Sequence, residues 1–204
     1  MKNLSPIQLD ALAEVFNIGA GRAAASLSEI VNDEVRLSVP RVEIRQWDGQ
    51  YQNLIQIPAR RFGAVSQHFS GPFNAEAILL FSEDHALEIV KDMMGSQMSL
   101  EDLAEFEQEA MCELGNIILN ACLSAMADML KLTLNSTLPS YRVANSNEVF
   151  LNIDDSQEQS FILILHIDLE IERRHSKGQL LFVLSSMSLQ NLVTHIDLFL
   201  GNIE

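Results

Sequence analysis

Residues 10–18, DALAEVFNI, recur 99 residues later as residues 109–117, EAMCELGNI. The matched polar residues and prolines, all at this offset, are Asp10 with Glu109, Glu14 with Glu113, Asn17 with Asn116, and Pro40 with Pro139. A register that holds from carboxylate to amide to proline predicts two copies of one supersecondary unit. We therefore expect one domain over residues 1–204, made of half-repeats of about residues 1–98 and 99–204.

The pattern of apolar residues predicts the same order of elements in each half. A long helix begins at Ser5-Pro6 in the first half and at Ser99 in the second, each with capping residues at its start. Strands follow, and a shorter helix with a glycine at its end, Gly95 or Gly201, closes each half. The predicted strands cover residues 35–42, the stretch around 54–57, 76–81, 133–143, 148–153 and 179–184, and the shorter helices cover 83–94 and 188–200.

Short turns between consecutive strands favour antiparallel pairing. The sequence thus predicts an α+β fold, an antiparallel sheet with helices, whose internal duplication relates the two long helices by a pseudo-twofold axis.

The composition limits the classes of partner. The chain is 48% hydrophobic, enough for a substantial core, and its formal net charge is −15. Because a nucleic-acid interface needs basic residues to neutralise phosphates, we expect no nucleic-acid partner. An anionic membrane surface would also repel the chain, and the most apolar stretch, residues 161–167, has the length of a strand. We expect no membrane insertion.

Cysteines and histidines indicate neither a disulfide nor a metal centre. Cys112 and Cys122 lie about 15 Å apart along one predicted helix, too far for a disulfide. We expect two buried free thiols and a cytoplasmic, reducing location, with no signal peptide at the N-terminus. The five histidines lack metal-ligand spacing, so no metal site is expected. The segment Gly19-Ala20-Gly21 lacks the rest of a phosphate loop and favours close helix packing or a bend.

The repeated polar residues share one face of each helix, because positions i, i+4 and i+7 fall in a narrow stripe. Helical geometry places Asp10, Glu14 and Asn17 beside the core and mostly outside it. A carboxamide offers a donor and an acceptor but no strong base. It can therefore position a water for a reaction whose electrophile and metal come from elsewhere. A repeated helix–helix hydrogen bond would explain the same conservation between the halves, and the residues alone leave both readings open.

Over essentially its whole length the chain resembles the CheC-type chemotaxis phosphatases, a superfamily with CheX and flagellar switch phosphatase relatives. The resemblance is strongest at residues 13–21 (AEVFNIGAG) and 112–118 (CELGNII). The family pattern is Asp or Ser, three residues, Glu, two residues, Asn and a later Pro. The first copy matches it in full. The second has Glu109 where the pattern prefers Asp or Ser, and the family tends to have Gly at the position of Phe16.

The resemblance implies a cytoplasmic hydrolase of two-component signalling that removes the phosphoryl group from the phosphoaspartate of a CheY-like response regulator. It implies that Asn17 and Asn116 orient the attacking water and that Glu14 and Glu113 bind the regulator's lysine. Asp10 and Glu109 would support the approach of the partner. The Mg²⁺ would come from the regulator, so this chain needs no cofactor of its own.

Two other functions remain open at this point. One is a non-catalytic adaptor that binds response regulators or a CheD-like receptor deamidase, which the acidic surface and the residues Phe16 and Arg22 suggest. The other, less favoured, is a structural piece of a flagellar switch.

Overall fold

The computed structural model describes residues 4–47, 54–94, 100–150, 160–171 and 174–201. Its helices are α1 (Pro6–Val31), α2 (Glu83–Met94), α3 (Leu100–Leu130), α4 (Ser146–Val149) and α5 (Ser186–Gly201). Its strands are β1 (Val35–Gln46), β2 (Phe62–Ser70), β3 (Ala75–Ser82), β4 (Asn135–Ser136), β5 (Ser140–Ala144), β6 (Ser160–Ile171) and β7 (Arg174–Ser185). The predicted α+β class with an antiparallel sheet is confirmed.

The helix boundaries follow from local sequence. At the start of α1, Ser5 Oγ accepts a hydrogen bond from the Gln8 backbone at 3.4 Å, and Gln8 Oε1 accepts one from the Ser5 backbone at 2.8 Å. This reciprocal capping box satisfies two donors that the first helical turn leaves free. Helix α2 covers the predicted range, and α5 ends at Gly201. The predicted cap at Ser99 and the predicted helix end at Gly95 lie outside the described residues.

The sheet interleaves strands from the two halves of the sequence. Its order is β1-β6-β7-β3-β2-β4, with β5 also paired to β2, and every pairing is antiparallel. At the offset of 99 residues, β1 corresponds to β4 and β5, β2 corresponds to β6, and β3 corresponds to β7. The strand order is therefore the same when it is followed from either edge of the sheet. At the two edges of the sheet the registers agree to within one residue, since Tyr141 pairs with Val65 and its counterpart Val42 pairs with Leu165. The β2–β3 and β6–β7 registers differ by three residues, since Val65 pairs with Leu79 while Ile164 pairs with Leu181. A duplication predicts this arrangement, and the duplication itself stays a prediction.

Two predicted strands are wrong, and the strand predicted over residues 133–143 is divided into β4 and β5. The stretch around Leu54 and Ile57 contains turns and no strand, and the strand predicted over residues 148–153 begins inside α4, which includes residues 148 and 149. Asn145 caps α4 by accepting from the Asn147 and Glu148 backbones, which favours a helix there. Both stretches bury apolar side chains against one face of the sheet. Their alternation of apolar and polar residues therefore reflects packing onto the sheet and not strand formation. Residues 151–153, the remainder of the second predicted strand, lie outside the described residues.

The sheet separates two apolar cores. The larger core lies between one face of the sheet and helices α1, α2, α3 and α5. The smaller core lies on the opposite face, under the segment 54–61 and α4. Alternate residues of a strand point to opposite faces, and β2 accordingly directs Phe62 and Ala64 to the small core and Val65 to the large one.

Helices α1 and α3, which carry the two repeated motifs, touch at Gly19. A Cβ at this position would lie 2.6 Å from the Cα of Cys122, closer than atoms can approach, so glycine is required for this packing. The predicted close packing of the Gly19-Ala20-Gly21 segment is confirmed. Gly21, two residues further along, has open space where its Cβ would be.

A polar cluster on β1 and β6 borders the smaller core. Glu43 accepts from Arg45 at 2.9 Å and lies 2.7 Å from His166, while its side chain is only 16% exposed. Burial alone would raise the pKa of Glu43, but the hydrogen bonds from Arg45 and His166 outweigh it and lower that pKa below its ordinary value of 4.5. Nearby, the buried Gln179 side chain binds the backbone of residues 54 and 56 and fixes that segment on the sheet.

Both thiols are free, as predicted. Cys122 is buried, whereas Cys112 is only half-buried, which corrects the prediction for that residue. Burial raises the pKa of Cys122 to about 12 and also raises that of Cys112.

Among the described residues, Phe106–Leu130 in α3 is long and apolar enough to span a membrane, but over half of its most apolar window is buried inside the protein, as in a core helix.

Candidate functional site

The first copy of the motif lies on the outer side of α1. Asp10 and Glu14 are exposed and Asn17 is half-buried, as helical geometry predicts for a stripe beside the core. The second copy on α3 repeats this distribution, with Glu109 and Glu113 exposed and Asn116 half-buried. In both copies the carboxylates face solvent.

In the first copy the carboxamide is bound to the protein's own backbone. Asn17 Oδ1 accepts from the Val39 N–H at 2.8 Å, and Asn17 Nδ2 donates to the carbonyls of Val39 at 3.2 Å and Ala13 at 3.0 Å. The two bonds to Val39 join α1 to β1. Donor and acceptor are both occupied, and binding a water through both groups would require some of these bonds to break.

The bond to Val39 has a local cause in β1. The pairing of β1 with β6 shifts register between Ser38 and Arg41, and Pro40, which has no backbone N–H, lies in this interruption. The Asn17 carboxamide supplies one donor and one acceptor to Val39, as a neighbouring strand would. It thereby satisfies both backbone polar groups of Val39.

In the second copy the carboxamide is held by another asparagine. Asn120 Nδ2 donates to the Asn116 backbone carbonyl at 2.8 Å and to Asn116 Oδ1 at 2.6 Å. Because a backbone carbonyl only accepts, Asn120 must present its amino group here, and the Asn116 atom facing it must be the oxygen. The Asn116 amino group is thus directed away from Asn120. Among the described residues it has no hydrogen-bond partner.

An open cleft of about 930 Å³ lies beside the second copy. Glu109, Glu113 and Asn116 form its polar side. The remainder of its wall is largely apolar and includes Phe106 and Leu138. The second amide is thus accessible from solvent at a concave surface.

The two copies are therefore alike in residue type but different in contacts. At the offset of 99 residues, the counterpart of Asn120 is Gly21, which has no side chain to hold an amide. The counterpart of Leu138 is Val39, which is 2% exposed where Leu138 is 90% exposed. Our sequence reasoning missed Asn120, although its i+4 spacing from Asn116 and the glycine opposite it in the repeat were visible signals.

No group of three or more His, Cys, Asp and Glu side chains suited to a metal ion occurs among the described residues. Three histidines instead lie close to single glutamates: His68 to Glu76, His166 to Glu43 and His175 to Glu170. His195 contacts the backbone carbonyl of Asn191. Nothing in these contacts assembles a nucleophile with a base.

Fold and site together define a helix–sheet protein with two acid–amide sites. Two family models match separate parts of it: the CheC-like family over residues 7–44 and the chemotaxis phosphatase CheX over residues 64–163. The predicted resemblance to CheC-type proteins is thereby confirmed.

Individual relatives agree with this assignment. The chain is 27% identical to the CheY-P phosphatase CheC of Bacillus subtilis over 137 residues, which are 65% of this chain and 64% of that protein. The match thus spans slightly less than two thirds of the relative's length.

Solved structures share the fold. FliY of Thermotoga maritima superposes with a TM-score of 0.76 at 21% identity, covering 95% of this chain and 98% of that one. The FliM middle domain from H. pylori has a TM-score of 0.63 at 13% identity, covering 94% and 99%.

Proposed function

We propose that this protein hydrolyses the phosphoaspartate of a CheY-like response regulator and that its second copy, Glu113 and Asn116, is the better prepared of its two sites. The observation that carries the proposal is the Asn116 amino group, directed away from Asn120 at an open cleft beside an exposed glutamate. The similarity to a protein named as a CheY-P phosphatase supports the choice of substrate.

Asn116 would act by positioning the attacking water. Its amino group donates to the attacking water and helps to hold it in line with the phosphorus, while the amide takes no proton from it. The water oxygen forms the new P–O bond as the bond to the aspartate oxygen breaks, which leaves the aspartate as a carboxylate and releases inorganic phosphate carrying both protons of the water. Mg²⁺ carried by the regulator would neutralise charge on the phosphoryl oxygens.

The flanking residues have distinct proposed roles. Glu113 is exposed one turn before Asn116 and would bind the regulator's lysine through a charge-assisted hydrogen bond. Glu109, one turn further towards the start of α3, would support the approach of that positive charge. Asn120 is a positioning residue, because it fixes which end of the Asn116 carboxamide faces outward.

The first copy is proposed to work less readily. Asp10 and Glu14 are exposed and available to a partner, but Asn17 would have to exchange its bonds to Val39 for bonds to water. We therefore expect Glu14 and Asn17 to contribute a smaller share of the activity.

The test is the rate of phosphate loss from a phosphorylated receiver domain with and without this protein. We expect acceleration by the wild-type protein, a loss of at least tenfold in kcat for Asn116→Ala, and a smaller loss for Asn120→Ala. The matched control is Asn191→Ala on α5, which removes a solvent-exposed hydrogen bond to the Pro72 carbonyl. This variant should leave the rate unchanged. Binding of the receiver without acceleration would instead support the adaptor function.

A further inference from the structure

Apolar side chains gather on the surface at the second site. Among the described residues, eight large apolar side chains are exposed, and four of them line the cleft beside Asn116. These four are Ile30, Met94, Phe106 and Leu138. Single exposed apolar residues need no explanation, but a cluster around a concave site indicates a binding surface.

Leu138 is held outward by the segment that carries it. On one side, Thr137 is tied to β2, since its N–H donates to the His68 carbonyl at 3.0 Å and its own carbonyl accepts from Gln67 at 2.7 Å. On the other side, the Pro139 carbonyl lies 3.8 Å from the Cys112 sulfur, within sulfur hydrogen-bond distance. With both neighbours fixed, the 90% exposed side chain of Leu138 is presented by an ordered backbone. Such preorganisation lowers the entropy lost on binding.

The charge of the cleft limits what can occupy it. Its described lining includes the carboxylates of Glu109 and Glu113 and contains no lysine, arginine or histidine. A second copy of this chain, with net charge −15, would bring like charges together at this surface. A complementary partner instead carries an apolar side chain close to a cation.

We infer that the cleft binds an apolar side chain that the receiver domain displays beside its active-site lysine, with Leu138 as the principal contact. The inference rests on the proposed function, because it assigns the cleft to the same substrate protein. Glu113 binds the cation, Leu138 and Phe106 cover the apolar group, and Asn116, which lines the same cleft, acts at the reacting centre. Leu138 determines affinity in this arrangement, whereas Asn116 determines the rate of the bound complex.

The experiment compares Leu138→Ser with Met187→Ser, an apolar residue on α5 that is 68% exposed and does not line the cleft. Steady-state kinetics with a phosphorylated receiver should show KM raised about tenfold for Leu138→Ser and kcat unchanged, as expected for truncating a central interface side chain. Calorimetry with a beryllofluoride-activated receiver should show Kd raised by the same factor. Met187→Ser should match wild type in both measurements.

The outcomes separate this inference from the proposed function. If wild type is an active phosphatase and Leu138→Ser keeps the wild-type KM and Kd, the docking role is wrong while the function stands. If wild type has no phosphatase activity but its binding weakens with Leu138→Ser, the function is wrong while the surface stands. A dimer in solution that Leu138→Ser dissociates would show that a second copy covers the cleft. A lower melting temperature for Leu138→Ser would show that the chain itself covers Leu138, and either result overturns the inference.

Discussion

Replacing the two repeated asparagines one at a time should separate a structural amide from a catalytic one. Asn17→Ala removes three hydrogen bonds and leaves the N–H and C=O of the buried Val39 without partners. Asn116→Ala removes only a bond to the half-buried Asn120 side chain. The two substitutions are the same in chemistry and occupy matching positions on two long helices.

The magnitudes follow from these contacts. A buried backbone group that loses its partner costs about 1–3 kcal/mol, and Asn17→Ala creates two such groups. Water can reach part of this half-buried site, and alanine is a better helix former by about 0.6 kcal/mol. We expect a net destabilisation of about 2 kcal/mol, or about 4–8 °C in Tm for a chain of this size. For Asn116→Ala we expect a change within about 0.5 kcal/mol.

The assay pairs urea unfolding with phosphate release from a phosphorylated receiver, measured on the same preparations. Asn17→Ala should lower the unfolding midpoint and reduce activity modestly, and Asn116→Ala should reduce activity strongly at an unchanged midpoint. If both variants unfold like wild type and lose activity equally, the structural role of Asn17 is refuted. If Asn116→Ala is as destabilised as Asn17→Ala, the assignment of the second amide to catalysis loses its support.

Three further predictions concern stability and accessibility. Gly19→Ala should destabilise the protein by about 1–3 kcal/mol because its Cβ would collide with α3. Gly21→Ala, whose Cβ would enter open space, should stabilise the protein by about 0.5–1 kcal/mol. Denaturant unfolding of both variants tests this pair of predictions. The pKa of Glu43 is lowered in the folded protein, so its ionised carboxylate stabilises the fold fully above pH 4.5, the ordinary pKa. This stabilisation is lost as the pH falls through the lowered pKa of the folded protein. Glu43→Gln should therefore flatten the acid limb of a plot of unfolding free energy against pH. Native Cys122, buried and with a pKa of about 12, should react with a thiol reagent only on unfolding, whereas Cys112 should react slowly in the folded state; a labelling time course with and without urea distinguishes them.

Features decided by local sequence were predictable. The capping box at Ser5 and the extent of α2 depend on contacts within a few residues, and both agree with the structure. The exposure of the carboxylates depends only on the 100° turn per residue of an α-helix, so it also followed from the spacing.

Features decided by distant contacts were not predictable. The apolar residues around Leu54 and Val149 alternate like a strand, but they pack on a sheet face as covering segments, and only the assembled sheet distinguishes these roles. The bond from Asn17 to Val39 spans 22 residues and depends on where β1 leaves its pairing with β6. The interleaved strand order likewise depends on partners more than 100 residues apart in sequence.

The pairing of asparagine with a later proline has a physical reading in this fold. Proline lacks an N–H and interrupts a strand's hydrogen bonding, so the preceding residue needs other partners, and a carboxamide can substitute for a peptide group. In the first half Asn17 fills that need at Val39 before Pro40. In the second half the segment before Pro139 is tied by other residues, and Asn120 holds Asn116 instead.

The carboxamide thus binds the protein's own backbone in the first copy and is proposed to bind an external water in the second, and the neighbouring residues determine which. Where glycine stands at position 21, no side chain at that position binds Asn17, and the strand contacts both ends of its carboxamide. Where Asn120 stands in the matching position, it binds the oxygen of Asn116 and directs the amino group away from itself, at the cleft. The predicted duplication would permit this division, because one copy can secure the helix–sheet contact while the other leaves its amide available for the proposed hydrolysis.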